Sequence, residues 1–202
     1  MVDETQFERG LVKNEVKTFI MVAANSFYKN YALFIKIFNR LTEITEVPFK
    51  VMIVGYGANK GYSKDADVLE EQIRNSQFAN YVELIPAVSR DRIHEVYQKA
   101  DAFVMTSVQE GMPVSALEAG CCGLPIFSTM CGGVEDYVDE KVGRIFKIVD
   151  EETFAKGLKE YLEGDIVFDS EYIRNHIVST FGRQAFVNNM NGIFNKVIDE
   201  NR

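Results

Sequence analysis

Between residues 18 and 146 the chain repeats one pattern: a short, unbroken apolar run, a turn, and a stretch with helical spacing. Nothing else in the sequence restricts the fold as much. The runs cover 18–23, 50–54, 81–85, 102–105, 125–128 and the shorter 144–146. Each is strand-sized and apolar at consecutive rather than alternate positions, which predicts strands buried on both faces. The intervening stretches 30–41, 68–75, 91–99 and 113–120 predict helices, the last one closed by Gly120. Strands alternating with helices predict a parallel sheet joined by right-handed crossovers. That is a Rossmann-like, doubly wound α/β domain with helices on both faces. Beyond Glu151 only helical patterns follow, over 151–163, 170–178 and 183–198.

Composition supports one well-buried domain. The chain has 202 residues, 47% of them hydrophobic, with 15 Phe and 9 Tyr, so a core is available and a second full domain would be crowded. We divide it into an N-terminal lead-in, 1–16, and a domain, 17–202, that includes the C-terminal helices. A net charge of −8 and the lack of any Lys/Arg cluster argue against a nucleic-acid partner, whose phosphates need cations. The apolar runs are too short for a transmembrane segment, and the acidic, polar start MVDETQFERG is not a signal peptide. Cys121, Cys122 and Cys131 form no disulfide framework and suit a reduced, cytosolic protein, and Cys121 and Cys122 read as buried packing residues. His94 and His176 lie far apart with no ligand spacing, so no metal is expected. Neither a Ser/His/Asp nor a Cys/His grouping is present.

Ligands of doubly wound sheets bind outside the carboxyl ends of the strands. The fourth run leads there into Glu110-Gly111-Met112-Pro113, then a helix carrying Glu118, then Gly123-Leu124-Pro125. Gly111 lets a ligand approach the backbone closely, Pro113 suits a first helical turn, and unpaired amides at that turn can hold an anion. The two carboxylates are eight residues apart and could reach into one cleft. On spacing alone the plainer reading is favoured, a dipole-favoured Glu at the helix start and a solvated one.

The segment 102–143 resembles the donor-site signature of the large family-4 (group 1) retaining glycosyltransferases, which have the two-domain GT-B fold. Their pattern is Glu, seven residues, Glu, then Gly-x-Pro, a strand and Gly-Gly. This chain supplies Glu110 to Glu118, Gly123-Leu124-Pro125, Ile126-Phe127-Ser128 and Gly132-Gly133. The similarity extends over roughly 17–198 and corresponds to the C-terminal half of such enzymes.

The resemblance implies a nucleoside diphosphate sugar as donor substrate, transfer with retention to an acceptor hydroxyl, and no metal or other cofactor. Glu118 would bind the ribose hydroxyls, and Glu110 the donor sugar near its reacting face. The amides of Gly111 and Met112, ahead of Pro113, would meet the sugar and diphosphate. Lys29, after the first run in Asn25-Ser26-Phe27-Tyr28-Lys29-Asn30, would pair with the diphosphate, whereas Ala24 stands at the family's arginine position. Without the resemblance, Lys29 reads as a solvated lysine. Gly55-Tyr56-Gly57 matches a strand-end Gly-x-Gly, although 58–66 is longer than is usual there. Val88 would contact the nucleobase through its backbone. Gly132-Gly133 would cradle phosphate or sugar, or form a plain turn. The acceptor pocket would lie on an N-terminal domain absent from this sequence. The work implied is polysaccharide biosynthesis in the cytoplasm, any membrane contact being made by that domain. Two other classes fit the same residues: a non-catalytic nucleotide-sugar-binding module and an epimerase of the same architecture. A dinucleotide-dependent dehydrogenase fits poorly, because no Gly-x-Gly-x-x-Gly follows the first run.

Overall fold

The computed structural model describes residues 1–10, 14–57 and 65–200. Six strands, β1 (Lys17–Val22), β2 (Phe49–Val54), β3 (Val82–Ile85), β4 (Ala102–Met105), β5 (Ile126–Thr129) and β6 (Gly143–Phe146), form one parallel sheet in the order β3-β2-β1-β4-β5-β6. The helices are α1 (Tyr31–Ile44), α2 (Asp65–Arg74), α3 (His94–Tyr97), α4 (Val114–Cys121), α5 (Glu151–Glu163), α6 (Ser170–Phe181) and α7 (Arg183–Glu200). The expected doubly wound architecture is therefore present. Its strand order reverses between β1 and β4, the place where this class of sheet opens a crevice for ligands.

Period-two alternation explains the unbroken apolar runs. Phe19, Met21, Val51, Ile53, Val104 and Phe127 join the core shared with Phe34 and Phe38 of α1, Leu69 of α2 and Phe154 of α5. Their neighbours Ile20, Met52, Val54, Phe103, Met105 and Ile126 join the opposite core, with Tyr97 of α3, Leu117 of α4 and Ile177 of α6. Part of the segment ahead of β1 belongs to that second core. Val2 and Phe7 are buried there, and Arg174 donates to the carbonyls of Glu4, Phe7 and Cys121.

Among the helix boundaries that differ from expectation, three have a visible local cause. The helix expected over 91–99 shrinks to His94–Tyr97, because the chain first makes a tight turn in which Arg92 N–H binds the Ser89 carbonyl. Pro113 is not the first helical residue. It caps α4 with extended backbone (ψ 99°), as its ring allows. Gly120 does not close α4, which runs on to Cys121, and the left-handed residue is Gly123 (φ +75°). Gly120 serves packing instead: a Cβ there would stand 2.6 Å from Ile177 Cγ1, so the missing side chain lets α4 and α6 approach. The 58–64 part of the long run after Gly57 lies outside the described residues.

That approach is testable. Gly120→Ala is expected to cost about 1–3 kcal/mol by overpacking. In an Ile177→Ala background it should cost much less, since the two sites share one space. Denaturant unfolding of the four proteins measures the coupling, and strictly additive costs would show that the helices do not meet at Gly120.

Candidate functional site

The site forms where the loops after β1, β4 and β5 meet at the carboxyl edge. After β1 the chain makes a single 3-10 turn, Phe27–Lys29, then enters α1 through Asn30. This residue has left-handed backbone (φ +50°), and its side chain accepts from Leu33 N–H at 3.3 Å. The turn is tied to the β4 loop twice: Thr106 Oγ1 donates to the Lys29 carbonyl (2.9 Å), and Val108 N–H donates to the Tyr28 carbonyl (2.8 Å). The β4 and β5 loops are joined in turn by Glu110 N–H to the Cys131 carbonyl (2.7 Å) and Thr129 Oγ1 to the Ser107 carbonyl (2.6 Å).

These ties bring Lys29 and Glu110 together. Lys29 Nζ lies 2.6 Å from Glu110 Oε1, which also accepts from Ser107 Oγ at 2.7 Å. The two side chains are only 24% and 15% exposed, so Lys29 is not a solvated lysine. Gly132 and Gly133 press against this loop with left-handed backbone, φ +87° and +69°. A Cβ on Gly132 would stand 2.8 Å from the Glu110 carbonyl oxygen, and one on Gly133 2.0 Å from that of Gly111. The pair thus allows close contact of two loops, where a ligand cradle and a plain turn had been the two readings. Gly111 itself faces open space, and its amide and that of the half-exposed Met112 meet no acceptor among the described residues.

Glu118 sits on α4 and is 6% exposed. Tyr97 O–H reaches its Oε2 at 3.0 Å and lies 3.1 Å from the Ser115 carbonyl. Burial pushes the Glu118 carboxyl above its ordinary value of 4.5, against the lowering influence of the Tyr97 hydrogen bond and the Arg90 charge. No hydrogen bond or ion pair links Glu118 to Lys29 or Glu110 among the described residues.

The remaining candidates divide. Gly55 and Gly57 spend their amides on the Ile85 and Pro86 carbonyls (2.9 Å each), and a Cβ on Gly57 would meet Pro86 Cβ at 3.0 Å, so they shape the strand end. Val88 is half-buried against the core in the loop after β3. Asn25 lines a hollow between the β1 loop and α2, with Tyr31, Leu69 and Gln72. Burial pushes the thiols of Cys121 and Cys122 up to about 12 and that of Cys131 up to about 11, which fits packing residues and not nucleophiles. Sequence reading missed Ser107 and Tyr97, the partners of the two carboxylates. Ser107 could have been found three residues before Glu110 at a strand end, but Tyr97 lies 21 residues from Glu118 with no pattern connecting them.

A sequence profile for the family described as glycosyl transferases group 1 matches residues 2–177. This chain belongs to the group 1 glycosyl transferases. Among its relatives, a D-inositol 3-phosphate glycosyltransferase from Mycobacteroides abscessus is 28% identical over 114 residues, which is 56% of this chain and 26% of the relative. Two solved glycosyltransferases share the fold. The apo lipopolysaccharide outer core galactosyltransferase WaaB superposes with a TM-score of 0.78 at 20% identity, over 96% of this chain and 54% of WaaB. The C-terminal domain of the group 1 glycosyl transferase LpcC from Francisella tularensis matches with a TM-score of 0.68 at 16% identity, over 90% of this chain and 98% of that domain. The glycosyltransferase chain thus spans about half the length of WaaB and corresponds to one half of a GT-B fold. Among its described residues no helix is long and apolar enough to cross a membrane.

The raised Glu118 pKa has a stability consequence. The folded state keeps this proton to higher pH than the unfolded chain does. The carboxyl's contribution is therefore complete below about 4.5 and is lost as pH rises towards the folded value. Glu118→Gln is uncharged throughout. Its melting temperature relative to wild type should rise between pH 4 and pH 7, and a difference that stays flat with pH would show that Glu118 is not desolvated.

Proposed function

We propose that this glycosyltransferase chain is the donor-binding half of a retaining enzyme that takes a nucleoside diphosphate sugar. The observation that carries the proposal is the Lys29–Glu110 pair at the switch point of the sheet, beside the unengaged amides of Gly111 and Met112. A cation and bare N–H groups suit a diphosphate, and carboxylates suit sugar and ribose hydroxyls. In this reading Glu118 holds the ribose, and Glu110 accepts from a hydroxyl of the donor sugar. Lys29 and the amides neutralise the diphosphate as it leaves, so the reaction calls for no metal. The Val88 backbone meets the base. The acceptor and the group that deprotonates it belong to a second domain, and the leaving phosphate assists in front-face transfer. A binding module without turnover is the second reading, favoured by Ala24, which offers no charge where the family's arginine would stand.

Lys29→Ala tests the central assignment. It should weaken binding of UDP, GDP or ADP on the order of tenfold or more, as expected when a partly buried charge-assisted contact of about 1.5–3 kcal/mol is lost. Binding of the matching bare nucleoside should change little. Calorimetry on wild type and variant gives the diphosphate-to-nucleoside ratio, and an unchanged ratio removes Lys29 from the phosphate site.

A further inference from the structure

The cation and the sugar-side carboxylate of the proposed site neutralise each other. The Lys29 backbone is fixed, its carbonyl held by Thr106 Oγ1 and its neighbour Tyr28 by Val108 N–H, so only the side chain can be redirected. The 2.6 Å contact commits one of the three ammonium donors to Glu110 and holds the charge on the carboxylate side of the site. If a diphosphate draws Lys29 away, Glu110 keeps Ser107 Oγ as its partner, loses its counter-charge and faces a second anion from a mostly buried position. Like charge and poor hydration both penalise that state. A sugar attached to the diphosphate lessens the penalty, since its hydroxyl can donate to Glu110 in place of Lys29. A bare diphosphate brings no such donor.

We infer that the Lys29–Glu110 ion pair is a gate that ties occupation of the phosphate site to the presence of a hydroxyl-bearing group on the diphosphate. The inference rests on the donor site proposed above and adds a selection rule to it. Free phosphates and nucleoside diphosphates must break the pair without replacing Glu110's partner, so they compete at a disadvantage. Once the sugar has been transferred, its hydroxyl no longer serves Glu110, Lys29 returns, and the leaving diphosphate is loosened.

Glu110→Gln has nearly the same shape and removes the charge, so it opens the gate. The probes are UDP, GDP and ADP with UDP-glucose, GDP-glucose and ADP-glucose, measured by calorimetry on wild type and on Glu110→Gln. Melting curves check the fold, and Glu110→Ala substitutes should the Gln variant not fold. The expected result is that the variant binds the bare diphosphate roughly 5- to 10-fold more tightly than wild type does, the value of a partly buried ion pair. The glucose conjugate should gain less or lose affinity, so the ratio of conjugate to diphosphate binding falls. If wild type binds a diphosphate, Lys29→Ala weakens it, and removing the Glu110 charge leaves it unchanged or weaker, the gate is wrong while the donor site stands. If wild type binds none of the probes, the donor site fails and the gate fails with it.

Discussion

The whole arrangement depends on burial of the central strands on both faces. Phe19, Val104 and Phe127 point into one core, and Ile20, Phe103 and Ile126 into the other. With both faces spent on packing, polar chemistry can be offered only at the ends of the strands. The chain concentrates it at one end. Thr106 and Ser107 follow β4, Ser128 and Thr129 finish β5, and all four are fully buried. A buried hydroxyl is costly without a partner, and each of these donates to one: Thr106 to Lys29, Ser107 to Glu110, Ser128 to the Thr129 carbonyl and Thr129 to Ser107. The floor of the site is thus a satisfied polar layer set against an apolar core.

On that floor, three loops from strands distant in sequence are held at fixed spacing. Hydrogen bonds draw the loops together, and the absence of side chains at Gly132 and Gly133 permits so close an approach. The result is a half-buried ion pair beside two amides, of Gly111 and Met112, that meet no acceptor among the described residues. Such an arrangement is pre-organised, since the dipoles are already oriented before any ligand arrives.

The layered fold was legible because a strand covered on both faces must be apolar at every position, and that signature is local. All six strands lie where the runs fall, with every end shifted by one residue or none. The failures are also local in origin. Gly120 looked like a helix stop because glycine commonly ends helices, whereas its reason for being there is Ile177, more than fifty residues further on. The length of α3 was overread because the turn at Ser89–Arg92 competes for the same backbone. Glu110, Lys29 and Glu118 came from resemblance; spacing could not have chosen between a ligand and a solvated face. Their partners Ser107 and Tyr97 were invisible, since hydroxyl-to-carboxylate pairing leaves no periodic trace.

Phe7 stands edge-on to Tyr97, with ring centroids 5.8 Å apart, and Tyr97 is the residue whose hydroxyl holds Glu118. Phe7 is in turn anchored by its carbonyl to Arg174 on α6. The opening residues of the chain therefore act as a wedge behind α3 that keeps the Tyr97 ring upright under the carboxylate. Mechanically, the far end of the site begins at residue 7: whatever shifts Phe7 is passed, through two aromatic rings, to the Glu118 carboxylate.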